Sequence, residues 1–537
     1  MKYARKLCLK MIFLIWLITV LGLLAIYFNK VYSRFSKYGV KHFKPIPPVG
    51  NMGRILLRKA PIFDSLITLY KSFPEERFIG SYSFVTPNLI VRDMDLIKNI
   101  VVKDFEYFAD HTTLVDETAD PLFGRNLFSL KGEDWKQMRS KLSPAFTSSK
   151  MRIMVPIIVD ICNQMIQFVK NSIQDSEDNF ADIECSDLSS RYAHDVITSY
   201  AFGLNVDSHN EKENKFYKMG MLATNISFKQ FVLLTAFGSS PMLMKKFKIS
   251  IFAQATEDFF KNLVAKMIRD RETNNINRPD IINQLIETKK GNITFSNKES
   301  KDAPTAVEKT AIDKGENQVW SDVDLIAQAV VFFLAGFNTV STAIAFALHE
   351  VGVNPDVQER LVQEIKETDA KNNGKFDYNS VQNMKYMDMV VSEILRKWPP
   401  VPVLDRNCRK DYNLGKPNKN SLREYVIRKG EVLKIPACAI HRDPEFYPNP
   451  EKFDPERFSE ANKHLIKPLT YMPFGLGPRN CPASRYALWE CKVMLYQILK
   501  HLELSPCEKT CIPEVVDNAD LKFRLKGGHW LRFKIRN

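Results

Sequence analysis

The chain has 537 residues, 45% of them hydrophobic and 26% charged. That is ordinary globular composition, and it excludes a disordered, collagen-like or polytopic membrane chain. Lysine and arginine number 76 against 62 aspartate and glutamate, a net charge of +14. No run of five or more basic residues occurs, so charge alone does not indicate nucleic acid.

Residues 11–28 (MIFLIWLITVLGLLAIYF) carry no charge. As a helix at about 1.5 Å per residue they span about 27 Å, close to a bilayer's apolar thickness. No small-x-small cleavage site follows, so the segment reads as an uncleaved anchor. Lysines and arginines flank it on both sides, so charge bias does not set its orientation. Pro45, Pro47, Pro48 and Gly50 then form a stiff, non-helical connector. The chain thus divides into an anchor (1–30), a basic, Pro-rich linker (31–52) and a body (53–537).

Within the body, residues 75–100 alternate apolar and polar and predict two short strands with a turn near Pro87. From about 130 to 285 the periodicity is mainly helical. The stretch 228–250, apolar with Lys245, Lys246 and Lys248, fits either a loop between core helices or a membrane-surface segment. Residues 287–320 are polar and predict a solvated loop. Ser321 with Asp324 is a helix-start signal before a long apolar helix over 322–351. After about 400 come short strands and Pro-rich turns, then one more helix after Cys481. Many helices with few strands imply a mainly α, α+β body. The 9 cysteines are odd in number and lack a C-x-x-C pair, against a disulfide scaffold or zinc ribbon.

The strongest chemical signal is Phe474-Gly-Leu-Gly477-Pro-Arg479-Asn-Cys481. The glycines allow close backbone approach, and a cation and a following helix start both favour a thiolate. This motif resembles the cysteine loop of the cytochromes P450, haem-thiolate monooxygenases, and the chain is most similar to the insect microsomal members that metabolise foreign compounds. The resemblance covers essentially the whole chain. It implies the P450 fold: a long central distal helix, a small β-sheet subdomain and a single N-terminal transmembrane helix. It also implies haem b, with Cys481 as axial iron ligand and Phe474 beside it.

Further motifs follow in the family's order. Glu393-x-x-Arg396 shares one helix face, and with Arg457 it resembles the family's buried structural charge network. Trp135 and Arg139, four residues apart, would hold a haem propionate, with Arg479, Arg406 and His111 as further contacts. Ala335-Gly336-Phe337-Asn338-Thr339 lies inside the long helix. A glycine there costs about 1 kcal/mol relative to alanine, and a threonine hydroxyl bonding back to the previous turn can bend the helix. In the family this stretch, here Ala335, Gly336, Asn338 and Thr339, crosses the distal haem face, leaves a groove for dioxygen and helps deliver protons to it. Substrate contacts are expected from 108–128, 221–250, Phe332, Phe333, Ala335 and Val401–Leu404.

The resemblance implies insertion of one oxygen atom from dioxygen into apolar small molecules, xenobiotic or endogenous. Electrons would come from NADPH through NADPH–cytochrome P450 reductase, with cytochrome b5 as a possible second donor and no nucleic acid partner. Lys131, Lys136 and Lys492 would face the acidic reductase. The location implied is the endoplasmic reticulum membrane, with the catalytic body facing the cytosol.

Two departures from the family pattern generate tests. Asn338 stands where a carboxylate is usual, and an amide does not shuttle protons. Asn338→Asp is expected to raise the product formed per NADPH consumed, and an unchanged or lower ratio would count against this. Pro482 follows the cysteine and cannot donate a hydrogen bond to its sulfur. Because such bonds tune the iron, Pro482→Ile is expected to raise the haem midpoint potential in a redox titration.

Overall fold

The computed structural model describes residues 2–211, 213–238, 241–278, 280–290, 320–519 and 521–536. Helix α1 (Lys2–Tyr32) carries the uncharged run as an exposed rod, none of whose apolar window is buried against the body. Residues 40–51 are non-helical, as their prolines require, yet they belong to the body. His42 bridges to Gly80, and Asn51 Oδ1 accepts from Tyr82 N at 2.8 Å.

The strands are β1 (Phe78–Ser83), β2 (Thr86–Val91), β3 (Ala181–Glu184), β4 (Leu404–Asn407), β5 (Tyr412–Asn413), β6 (Val426–Ile427), β7 (Val432–Ile435), β8 (Leu502–Ser505) and β9 (Trp530–Ile535). One sheet runs β1-β2-β7-β4, with only β2 and β7 parallel; a second runs β3-β9-β8. The expected hairpin at 75–100 is present, but its turn lies at Phe84–Val85, not at Pro87. Pro87 sits inside β2 opposite Tyr82, whose own N–H and carbonyl point away to Asn51. No donor is needed from residue 87, so the ring is tolerated in the strand.

Helices α2 (Gly132–Leu142), α3 (Ser148–Gln174) and α4 (Cys185–Phe202) occupy the stretch with helical periodicity. Helix α5 (Asp322–Val353) starts at the expected box: Ser321 Oγ accepts from Asp324 N at 3.3 Å, and the Asp324 carboxylate accepts from Ser321 N at 2.8 Å. α5 runs against α4 through the main core. Like α1, both α3 and α5 are long and apolar enough to cross a bilayer, but they are packed into the body, which explains their composition. Of the polar stretch 287–320, residues 287–290 end the helix Ile281–Lys290 and Trp320 is buried, while 291–319 lie outside the described residues.

Helix α6 (Lys385–Lys397) places Glu393 and Arg396 one turn apart, both wholly buried. Arg396 Nε and Nη2 donate to the two carboxylate oxygens at 2.7 and 2.8 Å. Asp454 N donates to the same carboxylate at 2.9 Å, and Arg457 Nε lies 3.4 Å from it. Arg396 also donates to the carbonyls of His441 (2.7 Å) and Pro450 (2.8 Å). His441 carries the connection onward. Its Nδ1 lies 3.1 Å from the Arg396 carbonyl, and its Nε2 accepts from Met472 N at 2.9 Å. Burial and the Arg396 charge push His441 down to about 3, so the ring is a neutral acceptor. The chain leading to the cysteine loop is thereby tied to α6.

Glu393→Ala would leave two guanidiniums facing each other without an anion. A loss of about 3–5 kcal/mol is expected, seen as a lower thermal unfolding midpoint by circular dichroism. Glu393→Gln, which keeps the acceptor oxygen but not the charge, should fall between it and wild type.

Candidate haem site

The cysteine loop depends on two glycines in the left-handed region, Gly475 (φ 78°) and Gly477 (φ 71°). A Cβ on Gly477 would stand 1.9 Å from the Val101 carbonyl oxygen, so no other residue fits there. The Phe474 carbonyl accepts from Cys481 N at 2.8 Å and closes the loop. Helix α7 (Ser484–His501) begins three residues after the cysteine, so Pro482 lies in the turn before it. The Ala483 N–H donates to the Cys481 sulfur. Burial pushes the thiol up, while that N–H and the Arg139 charge pull it down.

Across from the cysteine, α5 presents Ala335, Gly336 and Thr339 to a cavity of about 520 Å³. Thr339 Oγ1 donates to the Ala335 carbonyl at 2.6 Å, the back-bond expected of it. The space beside Gly336 is filled by α4: a Cβ there would lie 2.6 Å from Ile197 Cδ1. Asn338 is exposed and does not line the cavity.

One edge of the cavity is cationic. Arg139 from α2, Arg406 from β4 and Arg479 from the loop line it together with Trp135 and His111. The Arg479 guanidinium lies 4.0 Å over the Trp135 ring and donates to the carbonyls of Ala109 (2.7 Å) and Leu130 (2.6 Å). Arg139 donates to the Asn480 carbonyl at 2.7 Å. Arg406 donates to the Leu476 carbonyl at 3.2 Å, while its Nε is buried without a partner. His111 Nδ1 lies 2.9 Å from Asp405 Oδ1, and its ring stacks on Phe128 at 4.3 Å. Asp405 is half-buried, and its desolvation alone would raise it, yet bonds from His111 and Thr112 hold it well below the usual carboxylate range. Burial, partly offset by Asp110 and compounded by Arg406 and Arg139, pushes Arg479 below its usual range. Such an edge suits an anionic group.

The remaining wall is apolar, and much of the expected substrate set reaches it: Leu114, Phe123, Phe128, Phe332, Val401 and Leu404. Phe333 does not. It packs behind α5 against Phe202, Phe216 and Phe260 at ring distances of 5.6, 5.9 and 5.3 Å. None of the described residues within 221–250 lines this wall, whereas Phe146, Ile197 and Ile281, which no motif marks, do. Lys492, expected at the surface, is buried against Asp388, and Lys136 is ion-paired with Glu106 at 3.2 Å.

The family model described as Cytochrome P450 matches residues 40–527. The chain belongs to the cytochrome P450 family. It is 41% identical over 514 residues to cytochrome P450 9e2 of Blattella germanica, covering 94% of each chain. To the Drosophila melanogaster protein named "Probable cytochrome P450 9f2" it is 39% identical over 511 residues, covering 94% of this chain and 95% of that one. To cytochrome P450 6k1 of Blattella germanica it is 35% identical over 503 residues, covering 93% and 92%.

Haem is the family's cofactor, and the residues of this P450 fit it. A cysteine sulfur stands on one wall and a helix face on the other. Three guanidiniums line the cavity, a charge that suits a dianionic group, and one of them carries a buried, unpartnered N–H. Gly477→Ala is expected to abolish haem incorporation through the clash at Val101, read as loss of the Soret-to-protein absorbance ratio in purified protein.

Proposed function

We propose that this P450 is a membrane-anchored enzyme that draws NADPH electrons through NADPH–cytochrome P450 reductase, with cytochrome b5 as a second donor. It inserts one oxygen atom of dioxygen into a lipophilic small molecule, xenobiotic or endogenous. The observation that supports this best is the apolar cavity between the half-buried Cys481 and the Ala335–Thr339 face of α5, cationic along one edge. Residues 1–30 act as anchor and 53–537 as catalytic body, and the 31–52 linker is docked on that body along 40–51. The body faces the cytosol from the endoplasmic reticulum membrane.

Cys481 is the axial ligand in this reading. Haem, when bound, supplies the activation of dioxygen, which a thiolate ligand favours by donating electron density. Arg139, Arg406 and Arg479, with Trp135 and His111, hold the propionates, and Phe474 backs the loop. Thr339 keeps its hydroxyl proton on the Ala335 carbonyl at rest; released from that bond, Oγ1 can donate into the cavity. Asn338, on the exposed side of the same helix, is the neighbouring polar group toward solvent. The apolar wall excludes water and selects lipophilic ligands. Lys492 is too deeply buried to meet a reductase, which leaves the exposed Lys131 as the candidate contact from the original trio.

The test is reconstitution of full-length wild type and Cys481→Ala with reductase, NADPH and dioxygen. Wild type should form a product one oxygen atom heavier, dependent on both co-substrates. Cys481→Ala should lose that product and the thiolate-type Soret band of the reduced carbon monoxide complex. Conversion that proceeds without NADPH and oxygen would instead identify an isomerase or dehydratase.

A further inference from the structure

We propose that a surface cavity beside the end of α1 binds the phosphate-bearing headgroup of an anionic phospholipid. This rests on the reading that α1 spans a bilayer. The end of α1 is fixed to the body: Tyr32 Oη donates to the Phe84 carbonyl at 3.1 Å, and Arg34 pairs with Glu431 at 2.6 Å. A few residues on, 37–41 form one wall of a cavity of about 790 Å³, whose other walls come from residues 75–77 just before β1, from Asp93 and from residues 418–423. The cavity therefore lies where the chain would leave the membrane.

Its charge suits a phosphate. Lys37, Lys41 and Lys419 are exposed and make no ion pair among the described residues. Arg423 is exposed and donates to the Lys37 carbonyl at 3.3 Å. The cavity's carboxylates are mostly engaged. Glu76 is buried and accepts from Asn418 Nδ2 at 2.9 and 3.0 Å. Asp93 accepts from Leu96 N at 2.7 Å and lies 3.5 Å from Arg77. With Arg77, five cations thus face three carboxylates, of which only Glu75 is exposed.

Leu422 selects lipid over a dissolved phosphate. It is 95% exposed between Ser421 and Arg423, on the same loop as the cations. An apolar tip among lysines and arginines, beside a membrane anchor, matches an interface with headgroups and upper acyl chains.

The experiment uses the full-length, haem-loaded protein in lipid nanodiscs and follows amide hydrogen exchange in 36–42 and 417–424. Exchange should be roughly fivefold slower with phosphatidylserine present than in phosphatidylcholine alone, given the worth of each cation near an anionic surface. Lys419→Gln should reduce that difference. Replacing Lys37, Lys41, Lys419 and Arg423 by Gln together should remove it while leaving the haem spectrum intact. Equal exchange in the two lipids overturns the site. Equal slowing by inorganic phosphate in phosphatidylcholine discs overturns the lipid assignment. Failure of the chain to enter discs overturns the anchor reading, and this proposal with it.

Discussion

A carboxylate with no access to water keeps its charge only if donors surround it. At Glu393 those donors are Arg396, the Asp454 N–H and, at longer range, Arg457. Removing any one would expose the full desolvation cost of the others. The consequence reaches the site by backbone. Arg396 holds the His441 carbonyl, the His441 ring holds Met472, and two residues later Phe474 closes the loop on Cys481. None of these polar groups touches a ligand, yet they fix where the sulfur stands. The opposite wall is set independently, by α5 lodged against α4.

The cavity between those walls is electrically lopsided. Its guanidiniums lie along one edge and apolar side chains cover most of the rest. A flat macrocycle whose two carboxylates share one edge would match both halves. Burial makes the Arg406 and Arg479 guanidiniums costly alone, and Asp110 and Asp405 offset only part of that cost. An anionic cofactor would complete the neutralisation, so binding and the stability of this corner are coupled.

Features encoded in a few adjacent residues were legible from sequence. The Ser321–Asp324 box, the Thr339 back-bond and the glycines of the cysteine loop each require a particular residue at a fixed offset. Features decided by distant neighbours were not. Pro87 reads as a turn residue, but Asn51 engages the backbone of its partner Tyr82 and frees the strand position from needing a donor. Lys492 reads as a surface charge until Asp388 folds over it. Phe332 and Phe333 are adjacent and chemically identical, yet helix rotation sends one to the cavity and the other into the core behind.

The contact between Gly336 and Ile197 makes two positions interdependent. The notch left by a missing side chain on α5 is not open; a branched side chain from α4 occupies it and forms part of the chamber wall. Bulk added at 336 is therefore tolerable only if 197 shrinks, and trimming 197 opens space beside the reactive centre without altering a recognisable motif. Divergence of product profile among relatives of this chain can thus arise in a helix whose sequence gives no sign of touching the substrate.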